Sequence, residues 1–252
     1  MIAEARKGII LNTLNAKEIV NTRELADRCM VSEITIRRDL IELAAKGMLI
    51  RTRGGACRLK TADTLVNFDI KITRNSQHKE AICRLAASSI SDGDIVFVDC
   101  GSTLSFITQY LRPRAITVIT NSLPVVSALV DAPAVRLALI GGEVYSERRA
   151  IYGSVAEIDI EKYHATKAFI GADGVSLRSG LSSYDEREAA ITRRMISHAD
   201  EVFLLADSSK IEKNSYVTFA SLADVHHLIT DSEITPQHLR AYREASVDIL
   251  TA

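Results

Sequence analysis

The stretch "VSEITIRRDL", residues 31–40, sets the reading of the first part of this chain. Ile36 and Leu40, continued by Leu43 and Ala44, recur at i, i+4, i+7 and i+8, the spacing of a helix with one dry face. Arg37 and Arg38 sit side by side within that helix. At about 100° per residue, Arg38 lies almost opposite Ile36, while Ile34, Thr35 and Arg37 flank the outward face. Two adjacent arginines add nothing to a dry stripe, so the outward face needs a partner of its own.

The flanking residues supply the frame. A first helix is expected over about 3–15, with Ile9, Ile10 and Leu14 on its buried side. A second starts near Asn21, a good N-cap, with Glu24 three residues on to complete a capping box. Val31 fills the turn, Ser32 caps, and a third helix runs to about Lys46 with Gly47 as its stop. Two short helices joined by a tight turn make a helix-turn-helix. In that motif the N-terminal part of the second helix enters the major groove of DNA. Ser32, Glu33, Ile34, Thr35, Arg37 and Arg38 are therefore the candidate DNA-binding residues on this helix. Thr35 and Arg38 reach for base edges, and Arg37 for a phosphate.

"MLIRTRGGACRL", residues 48–59, predicts two short strands around Gly54 and Gly55. Arg51, Arg53 and Arg58 make this hairpin a basic wing suited to gripping phosphates. Residues 1–60 hold 12 Lys+Arg against 7 Asp+Glu, an excess of five positive charges; the remainder holds 19 against 25. A basic head on an acidic body predicts that the head meets a polyanion. The run from Arg6 to Arg58, with "ELA", "VSEITIRRDL", Gly47 and "RTRGGA", resembles the winged helix-turn-helix of the DeoR family of bacterial sugar-metabolism regulators.

Beyond residue 76 the pattern alternates. Apolar strand candidates are "DIVFVD" (94–99), "ITVIT" (116–120), "VRLALI" (135–140), "KAFIG" (167–171), "EVFLLAD" (201–207), "HHLIT" (226–230) and "VDIL" (247–250). Helical segments fall between most of them, at 77–90, 103–111, 122–131, 154–164, 185–199 and 235–245. Continuously apolar strands with intervening helices predict a doubly wound, mainly parallel α/β sheet. The expected fold class is α/β: a small N-terminal winged helix-turn-helix domain (1–60), a polar linker (61–76) and an α/β domain (77–252).

Ligands bind such sheets at the carboxyl ends of the strands. The segments there are "DCGST", "TNS", "GG", "GADG" and "DSSK", each small, polar or charged. Gly101, Ser102 and Thr103 precede a helix, where free N–H groups favour an anion. The absence of G-x-G-x-x-G and G-x-x-x-x-G-K-[ST] argues against dinucleotide binding and nucleoside triphosphate hydrolysis. A sugar phosphate fits the charged members. Lys210 offers a cation, and Asp99, Asp173, Asp185 and Glu188 are available acceptors for hydroxyls. Two of these have a second reading: Asp99 can orient its loop through backbone N–H groups, and Glu188 can be a solvated helix residue.

This half also resembles the DeoR effector domain, itself similar to the ribose-5-phosphate isomerase and glucosamine-6-phosphate deaminase fold. The residues that carry the likeness are "DGDIVFVDCGST", "VITNS", "LIGGEVY" with "GSVA", "FIGADGVS", "EREAAITRRMI" and "LLADSSK". The resemblance implies a phosphate loop at Gly101, Ser102 and Thr103, with further contacts at Asn121, Asp173, Glu188 and Lys210. Gly141, Gly142 and Gly171 belong to the same strand-end loops.

Two functions compete at this point. One is a DNA-binding regulator, a repressor of a carbohydrate catabolic operon relieved by a phosphorylated sugar or sugar derivative. The other is a sugar-phosphate isomerase or deaminase carrying an added DNA-binding head. The specific purpose of the head favours the regulator, so no catalytic residues are assigned. The expected partners are double-stranded operator DNA, a phosphorylated sugar effector and further copies of the chain, as dimer or tetramer. No cofactor and no metal are expected: the four cysteines are widely spaced, and the adjacent His226 and His227 point to opposite faces of a strand. No apolar run approaches the roughly 20 residues of a membrane helix, which predicts a cytoplasmic protein.

Overall fold

The computed structural model describes residues 3–17, 19–45, 48–52, 55–57 and 68–252. The chain divides into two compact units, Met1–Ile70 and Lys71–Ala252.

The first unit runs α1 (Ala3–Ala16), β1 (Ile19–Asn21), α2 (Thr22–Cys29), α3 (Glu33–Ala45), β2 (Ile50–Thr52) and β3 (Gly55–Cys57). Asn21 caps α2, its Oδ1 accepting from the Glu24 N–H at 2.7 Å. Met30 ends α2 in the left-handed region, φ 53°, which turns the chain into α3. Ile10, Leu14, Leu25, Ile36, Leu40 and Leu43 fill a core of their own. β2 and β3 form the expected antiparallel hairpin. β1, three residues with no strand signature of their own, pairs with the other side of β3 to give the order β1-β3-β2. Gly55 makes that pairing possible, because a Cβ there would stand 2.0 Å from the Val20 carbonyl oxygen. Gly47 and Gly54 lie outside the described residues.

α4 (Phe68–Thr73) stands inside the stretch expected as a linker and carries the first residues of the second unit. There follow α5 (Ser76–Ala87), β4 (Ile95–Val98), α6 (Thr108–Leu111), β5 (Thr117–Thr120), α7 (Leu123–Leu129) and β6 (Arg136–Leu139). Next come β7 (Glu143–Tyr145), β8 (Ala150–Tyr152), α8 (Ser154–Ile160), β9 (Ala165–Ile170), β10 (Gly174–Ser176) and β11 (Gly180–Ser183). The chain closes with α9 (Glu186–Ser197), β12 (Ala199–Leu205), β13 (Val217–Ala220), β14 (His227–Thr230), α10 (Pro236–Glu244) and β15 (Ile249–Thr251).

All seven apolar runs picked out from the sequence join one sheet, ordered β15-β14-β12-β9-β4-β5-β6 and parallel throughout. Alternate residues face opposite layers. Val96 and Val98 pack into one core, and Phe97 between them packs into the other. Helices therefore cover both faces, and the strands can be apolar along their whole length. β7 and β8 form a small hairpin, and β10, β11 and β13 an antiparallel sheet, none of which the sequence pattern announced.

The strand order reverses between β4 and β9. From β4 the chain progresses outward through β5 and β6, and from β9 through β12, β14 and β15. A crevice opens at such a reversal, outside the carboxyl ends of the two strands. Residues 99–103 and 171–173 are the segments that leave those ends.

Candidate functional site

In the head, α3 buries Ile36, Leu40 and Leu43 and turns Glu33, Ile34, Arg37 and Arg38 outward. Ser32 precedes the helix; its hydroxyl accepts from the Thr35 N–H at 3.3 Å and lies 3.0 Å from the Thr35 hydroxyl. Arg37 Nη2 lies 3.4 Å from Glu33 Oε2, one turn back. Arg38 makes no ion pair among the described residues. Asp39, by contrast, points inward onto Arg6 of α1. Of the expected wing, Arg53 and Arg58 lie outside the described residues, and so does the side chain of Arg51.

In the body, the crevice at the strand reversal is built first by Asp99. Its carboxylate is 1% exposed and accepts from the Cys100 N–H (2.7 Å), the Gly171 N–H (3.4 Å) and the Thr192 hydroxyl (3.1 Å). The second of its two readings fits this geometry: Asp99 clamps the loop after β4 to the loop after β9. A Cβ on Gly171 would approach the Gly101 Cα to 4.0 Å, so the two loops touch. Ser102 receives the ammonium of Lys79 at 3.3 Å, and Lys79 also donates to the Lys71 carbonyl. Burial brings the Lys79 ammonium down to about 8. Thr103 is buried, and its carbonyl accepts from the Cys83 thiol at 3.0 Å.

Asp173 is the hub. Lys71 Nζ stands 2.7 Å from Oδ1, Lys210 Nζ 3.4 Å from the same atom, and Arg148 Nη2 4.0 Å from Oδ2. Burial opposes ionisation of this carboxyl, but Lys210, Lys71 and Arg148 hold it well below the usual carboxylate range. Lys210 also donates to the Ala172 carbonyl at 2.9 Å. The short turn that presents it is capped by Asp207, which accepts from the Ser209 N–H at 3.1 Å.

Glu188 on α9 faces Arg148 Nη2 at 3.4 Å, and both side chains are largely buried. It is no solvated helix residue: burial pushes its carboxyl up to about 7. Glu188 Oε2 and Arg148 Nη2 are both buried without a hydrogen-bond partner.

Asp173, Glu188 and Lys210 thus meet in one ionic cluster, with Asp99, Gly101, Ser102 and Gly171 in the adjoining loops. The other expected residues make their contacts elsewhere. Asn121 is fully buried and donates to the Ile151 carbonyl at 3.1 Å, leaving its Oδ1 unpaired. The Gly141 N–H donates to Asp159 at 3.0 Å. Gly142 sits at φ 143°, where a Cβ would fall 2.6 Å from the Tyr152 carbonyl oxygen. Asp185 caps α9 and accepts from both N–H and Nε of Arg187 at 2.9 Å.

Three members of the cluster were missed by sequence reasoning. Lys79 had a readable signal, since it continues the buried stripe of Ile82, Cys83 and Ala86 on α5, where a lysine has no apolar purpose. Lys71 stands in a polar stretch, and Arg148 in the turn between β7 and β8; neither has a local signature. No group of three or more His, Cys, Asp or Glu among the described residues is arranged to hold a metal ion. No helix among them is long and apolar enough to cross a membrane.

Comparison with known proteins places both halves. Residues 6–62 match the DeoR-like helix-turn-helix domain, and residues 74–232 the DeoR C terminal sensor domain. The HTH-type transcriptional repressor GlcR of Bacillus subtilis (strain 168) is 35% identical over 231 residues, 92% of this chain and 89% of that protein. The lactose phosphotransferase system repressor of Lactococcus lactis subsp. lactis is 36% identical over 239 residues, 93% of each. Among solved structures, ribose 5-phosphate isomerase A from Methanocaldococcus jannaschii aligns at a TM-score of 0.41 and 18% identity, over 54% of this chain and 55% of that one. With a helix-turn-helix head and a sensor body both matched, the chain belongs to the DeoR family.

Proposed function

We propose that this chain is a transcriptional repressor of a carbohydrate catabolic operon, and that a phosphorylated sugar or sugar derivative bound in the body relieves repression. One observation carries the sensing half. Lys71, Lys210 and Arg148 gather on Asp173, and Lys79 reaches Ser102 of the Gly101–Ser102–Thr103 loop, while burial pushes the nearby carboxyl of Glu188 up to about 7. Lysines held by Asp173 and Asp207 next to such a loop suit a phosphate monoester, which carries about −1.5 to −2 charges at pH 7. Asp173 and Glu188 suit the hydroxyls of a polyol beside it. In the head, Thr35 and Arg38 would read base edges, and Arg37, Arg51, Arg53 and Arg58 would hold phosphates. The repressors among the relatives, GlcR and the lactose phosphotransferase system repressor, support this reading.

Operator and effector would bind with reciprocal coupling, each weakening the other by the same factor. Such a regulator works in the cytoplasm, as a dimer or tetramer on a palindromic site. The deciding experiment is retardation of DNA from the chain's own upstream region, titrated with a panel of sugar phosphates. Release by one phosphate and not by its parent sugar is expected; failure to retard that DNA at all would overturn the proposal.

A second reading rests on Glu188. A buried carboxyl at about 7 beside Lys71 and Asp173 has the acidity that general acid–base chemistry requires. Turnover of a pentose or hexose phosphate, lost in Glu188→Gln, would put an isomerase-like enzyme first.

A further inference from the structure

Ile34 stands on the first turn of α3 and is 66% exposed. Nothing among the described residues of the head accounts for an isoleucine there. The core stripe of the helix is Ile36, Leu40 and Leu43, and Ile34 takes no part in it. Nor is it a helix-former's choice, since β-branching restricts its side chain in a helix. Its neighbours on the outward face are informative. Arg38 lies at i+4 from Ile34, so the two side chains stand next to one another, about 5–6 Å apart at Cβ. Arg38 makes no ion pair among the described residues, and the head carries five surplus positive charges. An apolar side chain therefore shares a cationic face with an uncommitted arginine, at the end of the helix that enters the major groove.

The major groove offers one apolar feature, the C5 methyl group of thymine. It also offers the O6 and N7 acceptors of guanine, which an arginine grips with both its prongs. Successive bases on a strand are about 3.4 Å apart along the axis. A separation of 5–6 Å on the helix spans one or two such steps.

We propose that Ile34 is a specificity-determining residue: it packs against a thymine methyl group one or two base pairs from the guanine that Arg38 holds. This rests on the head binding double-stranded DNA, and it adds a defined two-base element to the site that the chain reads. Ile34 contributes shape and dryness, and Arg38 the hydrogen bonds. A cytosine at the thymine position would present an amino donor and no methyl group to the isoleucine.

The test uses the full chain and duplexes that it selects from a random pool. In the selected duplex each thymine is replaced in turn by deoxyuridine, which removes only the methyl group, and each guanine by 7-deazaguanine, which removes N7. Binding is followed by fluorescence anisotropy. One deoxyuridine per half-site should weaken the unaltered chain about threefold to fivefold, the size expected for one buried methyl group. Ile34→Ala should bind both duplexes equally, and Ile34→Val should retain part of the difference. The sensitive thymine should lie within two base pairs of the guanine whose N7 the unaltered chain feels and Arg38→Ala does not. Ile34 is exposed, so the variants should melt with the parent. The inference is overturned if no thymine in that window is sensitive, or if Ile34→Ala remains as sensitive as the parent. If no duplex is selected at all, the DNA-binding reading fails, and this inference fails with it.

Discussion

Arg6 of α1 and Asp39 of α3 form a two-pronged ion pair, Nε to Oδ2 and Nη2 to Oδ1, with both side chains buried. Asp39 thus faces inward while Arg38, its neighbour in the sequence, faces solvent. The pair fixes how α3 is rotated against α1, and with it which side chains α3 presents.

Arg6→Met should therefore destabilise the head, because it leaves the Asp39 carboxylate buried and uncompensated. Breaking a buried pair costs about 3–5 kcal/mol, and a head this small should fall toward the lower end. Arg6→Met with Asp39→Leu should regain most of the loss, since two apolar groups need no partner. Urea unfolding followed by circular dichroism would report both. A single variant as stable as the parent would show that the pair contributes nothing.

Arg38 and Arg37 should respond differently. Arg38→Ala should cost about 1–3 kcal/mol on the selected DNA and little on unrelated DNA. Arg37→Ala should weaken both alike and lower the salt slope by about one. Anisotropy at several salt concentrations separates the two, and equal losses of discrimination would contradict their placement on α3.

Lys210→Ala should weaken effector binding by about 1.5–3 kcal/mol, the usual size of a hydrogen bond to a charged group, and spare DNA affinity without effector. The variant should repress and not be relieved. Matched sugar and sugar-phosphate pairs, compared by calorimetry on the unaltered chain, test the premise. Equal affinities would remove the phosphate, and with it the role given to Gly101, Ser102 and Thr103.

Glu188 makes a prediction in pH. Its carboxyl rises from the ordinary 4.5 to about 7 on folding. The folded state therefore favours the proton, and the unfolded chain releases it earlier as pH rises. Relative to Glu188→Gln, the unaltered chain should be at its most stable below about pH 4.5. It should then lose stability as pH rises through 7, by up to about 1.4 kcal/mol per pH unit. Urea midpoints of the two chains from pH 5 to 8 measure the difference. A constant difference would mean that Glu188 is ionised throughout.

The seven sheet strands were legible because a sheet covered on both faces demands unbroken apolar runs such as "DIVFV" and "EVFLL". The helix-turn-helix was legible from Asn21, Ser32 and the stripe of Ile36, Leu40 and Leu43. The short strands were not, for Ile19–Asn21 and Glu143–Tyr145 are three residues each and earn their structure from the partner strand alone. The site divides similarly. Asp173, Glu188 and Lys210 follow strands or open a helix, where a parallel sheet collects its ligand groups. Lys71 and Arg148 reach the same place by tertiary packing across 102 and 25 residues of sequence from Asp173. Periodicity carries no trace of contacts like these.

Lys71 also decides where this protein can be divided. It belongs to α4, ahead of the point where the strand–helix pattern begins, yet its ammonium lies 2.7 Å from Asp173. A body fragment begun at residue 77, where the pattern places the domain edge, would lack one of the cations that surround Asp173. The same fragment begun at residue 63 would retain it. A sensor domain excised by its sheet would then misreport its own affinity, and the fault would lie in the scissors.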